Sequence, residues 1–166
     1  MKQSIILLLF IGSLLQSSCY SFKGISIDYT KVKTFSIGEF PNNALNVVPA
    51  LSQDFREALR LKIINESRLN SVSANGDVIF DGEITGFDIT SVAPQPGETT
   101  QFSRLTIRVN VEFTNQMDEK QNFKNSFSWF EDFESSVNLL DVQDDMIINI
   151  NERLVEDIFN KAFTNW

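Results

Sequence analysis

Histidine is absent from the 166 residues, and cysteine occurs once. These absences exclude a Ser-His-Asp triad, a Cys-His pair and Cys/His zinc sites, each of which needs an imidazole or more than one thiolate. An intrachain disulfide is excluded too. Positive charge is scarce: 14 Lys+Arg against 22 Asp+Glu give a formal net charge of -8. That balance argues against general nucleic-acid binding, which relies on cations to neutralise phosphates. No repeat, low-complexity tract or Pro/Gly-rich linker divides residues 19–166. What remains is ordinary globular material, 42% apolar and 22% charged, long enough for one domain with its own core.

The N-terminus reads as a targeting segment. Lys2 precedes an eleven-residue apolar run from Ile5 to Leu15, then Ser17-Ser18 and the lone Cys19. Spanning a bilayer takes about 20 apolar residues, so the run fits a cleaved signal better than a permanent anchor. Cys19 stands where lipoprotein signal peptidase leaves a diacylated N-terminal cysteine. The usual lipobox has Leu three places before the Cys; here Gln16 holds that place and Leu15 lies one further back. The alternative is a plain secretory signal with a chance cysteine. Two or three acyl chains on Cys19 suffice for stable anchoring, and a thioether there leaves no free thiol in an oxidising compartment. Tyr20 rather than Asp follows the cysteine, and no acidic tract comes after it. The expected location is the periplasmic face of the outer membrane, with residues 1–18 as signal peptide and 19–166 as a single domain.

Periodicity sets the elements of that domain. Lys31–Gly38 alternates apolar and polar residues, as a strand does. From Pro49 the period becomes helical, with Leu51, Phe55, Ala58, Leu59 and Ile63 on one stripe. Asn75-Gly76-Asp77 is a turn leading into a strand over Val78–Thr90. Pro94–Glu98 is a flexible crossing. Arg104–Thr114 is the cleanest strand, with Leu105, Ile107, Val109, Val111 and Phe113 on one face. In the strand after it, Phe123, Asn125, Phe127 and Trp129 face away from Lys124, Ser126, Ser128 and Phe130. A last helix is expected over Asp144–Phe163, its row formed by Ile147, Ile150, Leu154 and Ile158. The order β-α-β-β-β-α, with an extra short strand near Leu69–Val72, predicts an α+β fold. Its antiparallel four- to five-stranded sheet carries both helices on one face, since each element has one apolar side to bury.

Carboxylates are the plentiful chemical groups. Asp141, Asp144 and Asp145 lack the alternating ligands, central Gly and closing Glu of an EF-hand loop, and read as a helix N-terminus. Asp81 and Glu83 share a strand face, as a glycoside-hydrolase pair can, but such spacing is more often a solvated face. No metal or cofactor is implied. Trp129-Phe130 puts aromatics on both sides of one strand. Phe130 with Arg104 and Arg108 makes a candidate docking face for a partner or an acyl chain, against the alternative of an ordinary surface aromatic.

Cys19–Gly24, Leu51–Leu59 (LSQDFREAL), Asp77–Gly86 (DVIFDGEITG) and the ending Leu154–Trp166 together resemble the LptE-like lipopolysaccharide-assembly lipoproteins. The similarity covers nearly all of residues 19–166 and has no catalytic signature. It implies a non-enzymatic lipoprotein that plugs a large LptD-like outer-membrane β-barrel, helps it assemble and aids lipopolysaccharide delivery to the cell surface. Direct lipopolysaccharide contact would fall to Arg104 and Arg108. A periplasmic binding module for a lipid or glycan, working through the Phe130 face, is the competing class, and a carboxylate hydrolase a third.

Overall fold

The computed structural model describes residues 27–93 and 100–164. The signal segment, Cys19, the Pro94–Glu98 crossing and Trp166 lie outside the described residues. The elements are β1 (Thr34–Ile37), α1 (Leu51–Glu66), β2 (Asn70–Ser71), β3 (Val78–Val92), β4 (Phe102–Asn115), a 3-10 turn (Glu119–Gln121), β5 (Phe123–Glu134) and α2 (Leu139–Phe163). The expected α+β architecture is present, and β2 is the extra short strand. The five strands lie in the order β2-β1-β3-β4-β5.

One expectation needs correction. β3, β4 and β5 pair antiparallel, but β1 runs parallel to both β2 and β3. The helix is the cause. A tight hairpin reverses the chain, whereas α1 carries it back to the end from which β1 started, so the next strand runs the same way.

The core lies between one sheet face and the two helices. Leu105, Ile107, Val109, Val111 and Phe113 of β4 are buried, as are Leu51, Phe55, Leu59 and Ile63 of α1. The rows from α2 are Ile147, Ile150, Leu154 and Ile158. Phe80, Phe113, Phe159 and Phe163 close the middle, with centroids 5.0 Å apart for Phe80–Phe113 and 4.7 Å for Phe159–Phe163. Each such ring contributes roughly 1.5–3 kcal/mol by leaving water. α2 begins five residues before the expected Asp144, because Leu139 and Val142 also pack on the core. Its cap is therefore Asn138, whose side chain accepts from Leu140 N at 3.2 Å, and Asp144 and Asp145 sit exposed beyond the first turn.

Two devices set the sheet's shape. A bulge at Thr85 breaks the register between Ile84 and Gly86, so Phe87 points into the core opposite Ile107, and Asp88 points out opposite Thr106. The segment after β1 covers the β3 edge: Gly38 N donates to Phe80 O at 2.8 Å, and Ile84 N donates to Pro41 O at 3.0 Å. Asn43 N donates to Ile84 O at 2.8 Å. Phe40 adopts φ 47, a conformation few bulky residues tolerate, and its ring is fully buried 5.1 Å from that of Phe55. Gly82 makes this possible, since a Cβ there would lie 2.8 Å from the Phe40 ring and 2.0 Å from Asn110 O.

Asp77 ties β1 to the start of β3. Its carboxylate accepts from Lys33 N at 2.8 Å, Thr34 N at 2.9 Å and Thr34 Oγ1 at 3.0 Å. The Lys33 and Thr34 amides hold its carboxyl below the usual carboxylate range. The depressed folded value means this stabilisation is full above the ordinary carboxylate range and is lost as pH falls through the folded value. Asp77→Ala is expected to cost about 2 kcal/mol near neutral pH, with the gap from the parent narrowing in acid. Urea melts at a series of pH values check this; a pH-independent gap contradicts it.

Candidate functional site

The sheet face turned away from the helices carries the charged residues of the three long strands except Glu131. Parity alone puts Arg104, Thr106, Arg108, Asn110 and Glu112 of β4 on this face, and the bulge brings Asp88 and Thr90 of β3 to join them. β5 adds Lys124, Ser126, Ser128, Phe130 and Asp132. Cross-strand rows run Thr90-Arg104-Asp132, Asp88-Thr106-Phe130, Gly86-Arg108-Ser128 and Asp81-Glu112-Lys124.

The structure brings the three expected residues together. Arg104 grips Asp132 in two parallel bonds, Nε to Oδ1 at 2.7 Å and Nη2 to Oδ2 at 2.9 Å. Its guanidinium also lies 3.6 Å from the centroid of the Phe130 ring. Phe130 stands opposite Thr106, between the levels of the two arginines. Arg108 Nη2 donates to Asp88 Oδ2 at 2.5 Å, and Lys124 Nζ reaches Glu112 Oε2 at 3.2 Å. Gly86 leaves the room that the Arg108 side chain fills: a Cβ there would lie 2.9 Å from its Nε and Nη2.

Pairing changes what these cations can do. The Arg104 bond holds the Asp132 carboxyl below its usual range, and Asp132 pushes the guanidinium above its own. Both arginines are therefore committed to carboxylates of the same face. What results is a face of locked ion pairs, not an open phosphate site. Glu83 likewise serves as a tie. Its carboxylate accepts from Asn43 Nδ2 at 2.7 Å and Asn110 Nδ2 at 3.3 Å, an arrangement that braces the edge segment. Among the described residues, no group of three or more acidic, His or Cys side chains is placed to hold a metal ion.

Sequence reasoning missed the partners Asp88 and Asp132. Asp132 could have been found by counting strand register; Asp88 could not, because the bulge moves it. A second surface was also missed. A groove of about 410 Å³ lies between α1 and α2, floored by Ala58, Leu61, Ile148 and Val155. At its base Asn151 is 2% exposed, and its Oδ1 has no hydrogen-bond partner among the described residues. The only signal for it was a polar residue inside the apolar stripe of α2.

A family model described as LptE, lipopolysaccharide-assembly, matches residues 32–162. Among curated proteins none matches. Solved structures resemble the chain in fold. PelC from Paraburkholderia phytofirmans, a dodecamer, superposes with TM-score 0.52 at 7% identity, covering 86% of this chain and 94% of that one. A Chlamydia trachomatis hypothetical protein gives TM-score 0.50 at 8% identity, covering 76% and 93%. A Helicobacter pylori homolog of the neuraminyllactose-binding hemagglutinin gives 0.50 at 11%, covering 86% and 88%. At such identities the likeness is one of fold alone.

The paired face makes two tests. Arg104→Ala should return the Asp132 carboxyl to an ordinary titration range, read by carboxyl-carbon NMR; an unmoved titration denies the pairing in solution. Gly86→Ala displaces only the end of a flexible side chain from an exposed ion pair and should cost less than about 1 kcal/mol. Gly82→Ala meets backbone and should cost about 3 kcal/mol or more in the same melts. Equal costs would contradict the geometry.

Proposed function

Because the chain belongs to the LptE lipopolysaccharide-assembly family, we propose that it is an outer-membrane lipoprotein that plugs a large LptD-like β-barrel. In that role it helps the barrel assemble and supports lipopolysaccharide transport to the surface, with no catalytic step of its own. The observation that carries this reading is the outer sheet face. Its three cations are each held within the face, in Arg104–Asp132, Arg108–Asp88 and Lys124–Glu112, while Asp81, Glu83 and Glu134 are carboxylates in excess of them. A polar surface whose cations are fixed in place suits the polar lumen of a barrel, whose wall would supply donors to the surplus carboxylates. On this reading Arg104, Arg108 and Phe130 meet the barrel wall. Lipopolysaccharide phosphates would compete with carboxylates already in place. Arg104 over Phe130 also leaves that ring less open to an acyl chain or sugar.

An orientation is proposed from where β1 begins. Lys33, just before β1, bonds Asp77 at the end of the sheet where β3 starts. Asn46 reaches Phe87 O, about 30 Å further along β3 at strand spacing. The neighbouring Leu45 and Val47 are 95% and 63% exposed. We place lipidated Cys19 at the periplasmic mouth and the Leu45–Val47 loop leading into the lumen.

Tagged full chain purified from detergent-solubilised outer membranes should carry a large β-barrel at equal stoichiometry through a high-salt wash. Recovery of the chain alone, together with intact surface lipopolysaccharide in a deletion strain, overturns the reading. Cys19→Ser should leave the protein in the soluble periplasmic fraction; membrane retention of that variant would sink the lipid tether alone.

A further inference from the structure

β5 ends the sheet, and among the described residues nothing pairs with its outer edge. It runs twelve residues, Phe123–Glu134, with no proline and no register shift against β4. Open edges invite pairing, and proteins usually blunt them by shortness, proline or a bulge. The other edge of this sheet does so, since β2 has two residues. β5 is neither short, broken by proline nor bulged; its edge carries Lys124 and the inward-turned Glu131, and it exposes Trp129 and Phe130.

The order of side chains along β5 is self-complementary. We propose that β5 pairs antiparallel with β5 of a second copy of this chain, about a two-fold axis at Ser128, joining two five-stranded sheets into one. In that register Lys124 of each copy faces Asp132 of the other. With the pairs already formed, the outer row then reads Glu112, Lys124, Asp132, Arg104 across the junction, alternating in sign. On the helix side Phe123 faces Phe133, and Phe127 faces Trp129. Asn125 faces Glu131, a polar pair.

Other registers are worse. A one-residue slip sets core-side residues against solvent-side ones. Moving the axis to Phe127 puts Phe123 against Glu131 and Lys124 against Phe130. Moving it to Trp129 puts Phe127 against Glu131 and Asn125 against Phe133. The proposal does not rest on the barrel reading; it concerns the free chain.

Cysteine scanning on the full chain in detergent tests it, with the parent as control for Cys19. Facing residues in an antiparallel ladder have Cα atoms about 4.5–5.5 Å apart, within reach of a disulfide. Two copies of Ser128 therefore meet, whereas two copies of Ser126 lie roughly 13 Å apart along the strands. Copper-phenanthroline oxidation of Ser128→Cys should give a disulfide dimer about tenfold faster, or more, than Ser126→Cys or the parent. Adding Lys124→Glu, which sets like charges across the junction, should slow it. Equal rates at 126 and 128, or a monomeric mass for the parent by light scattering at micromolar concentration, overturn the proposal.

Discussion

The unbroken alternation of β4 is the constraint on which the rest of the molecule depends. From Leu105 to Phe113 every second side chain enters the core, and every one between them faces out. Side chains on a strand have a period of two, so a neighbour must match that parity or move polar groups into the core. β5 keeps one register throughout, with only Asn125 and Glu131 as polar residues on its core side. β3 cannot, because Phe80, Ile84 and Phe87 all need burial while their spacing changes from four to three. The extra residue at Thr85 absorbs the mismatch, and the same bulge delivers Asp88 to Arg108.

One-sided burial then divides the labour of the two faces. The helices cover the inner face, and the apolar side chains of both layers are buried between them. The outer face contributes little to stability, since exposed ion pairs are worth about 0–1 kcal/mol each. What its pairs do is orient. Arg104 is held by two bonds to Asp132 and by the Phe130 ring, so a surface that would otherwise be mobile presents fixed charges in a fixed order. Membership of a lipopolysaccharide-assembly family and a prearranged polar face point in one direction: recognition of a partner of matching polarity.

Much of this was readable from residue order. The stripes of α1 and α2 and the two faces of β4 and β5 follow from period alone, and so does the shared face of Arg104, Arg108 and Phe130. The start of α2 was misplaced because Leu139 and Val142 join the core only once β5 has positioned the chain above them. Strand direction at β1 was misjudged although the β-α-β order already implied it, since a helical crossover between neighbouring strands favours parallel pairing. The edge segment around Phe40 was invisible as well. Its buried ring at φ 47 depends on an empty place at Gly82, on a strand forty residues away.

Sequence by itself therefore determined the fold class, the inner and outer face of each long strand, and the exclusion of imidazole catalysis, Cys/His zinc sites and an intrachain disulfide. These are local properties, set by period and by residue type. Tertiary structure alone decided that Asp88 neutralises Arg108, that the Phe40 segment covers the β3 edge, and that β5 is left, among the described residues, with a free edge. Each of these depends on which strands become neighbours and in what register. Register is settled by the summed packing of the whole core, which no single segment encodes.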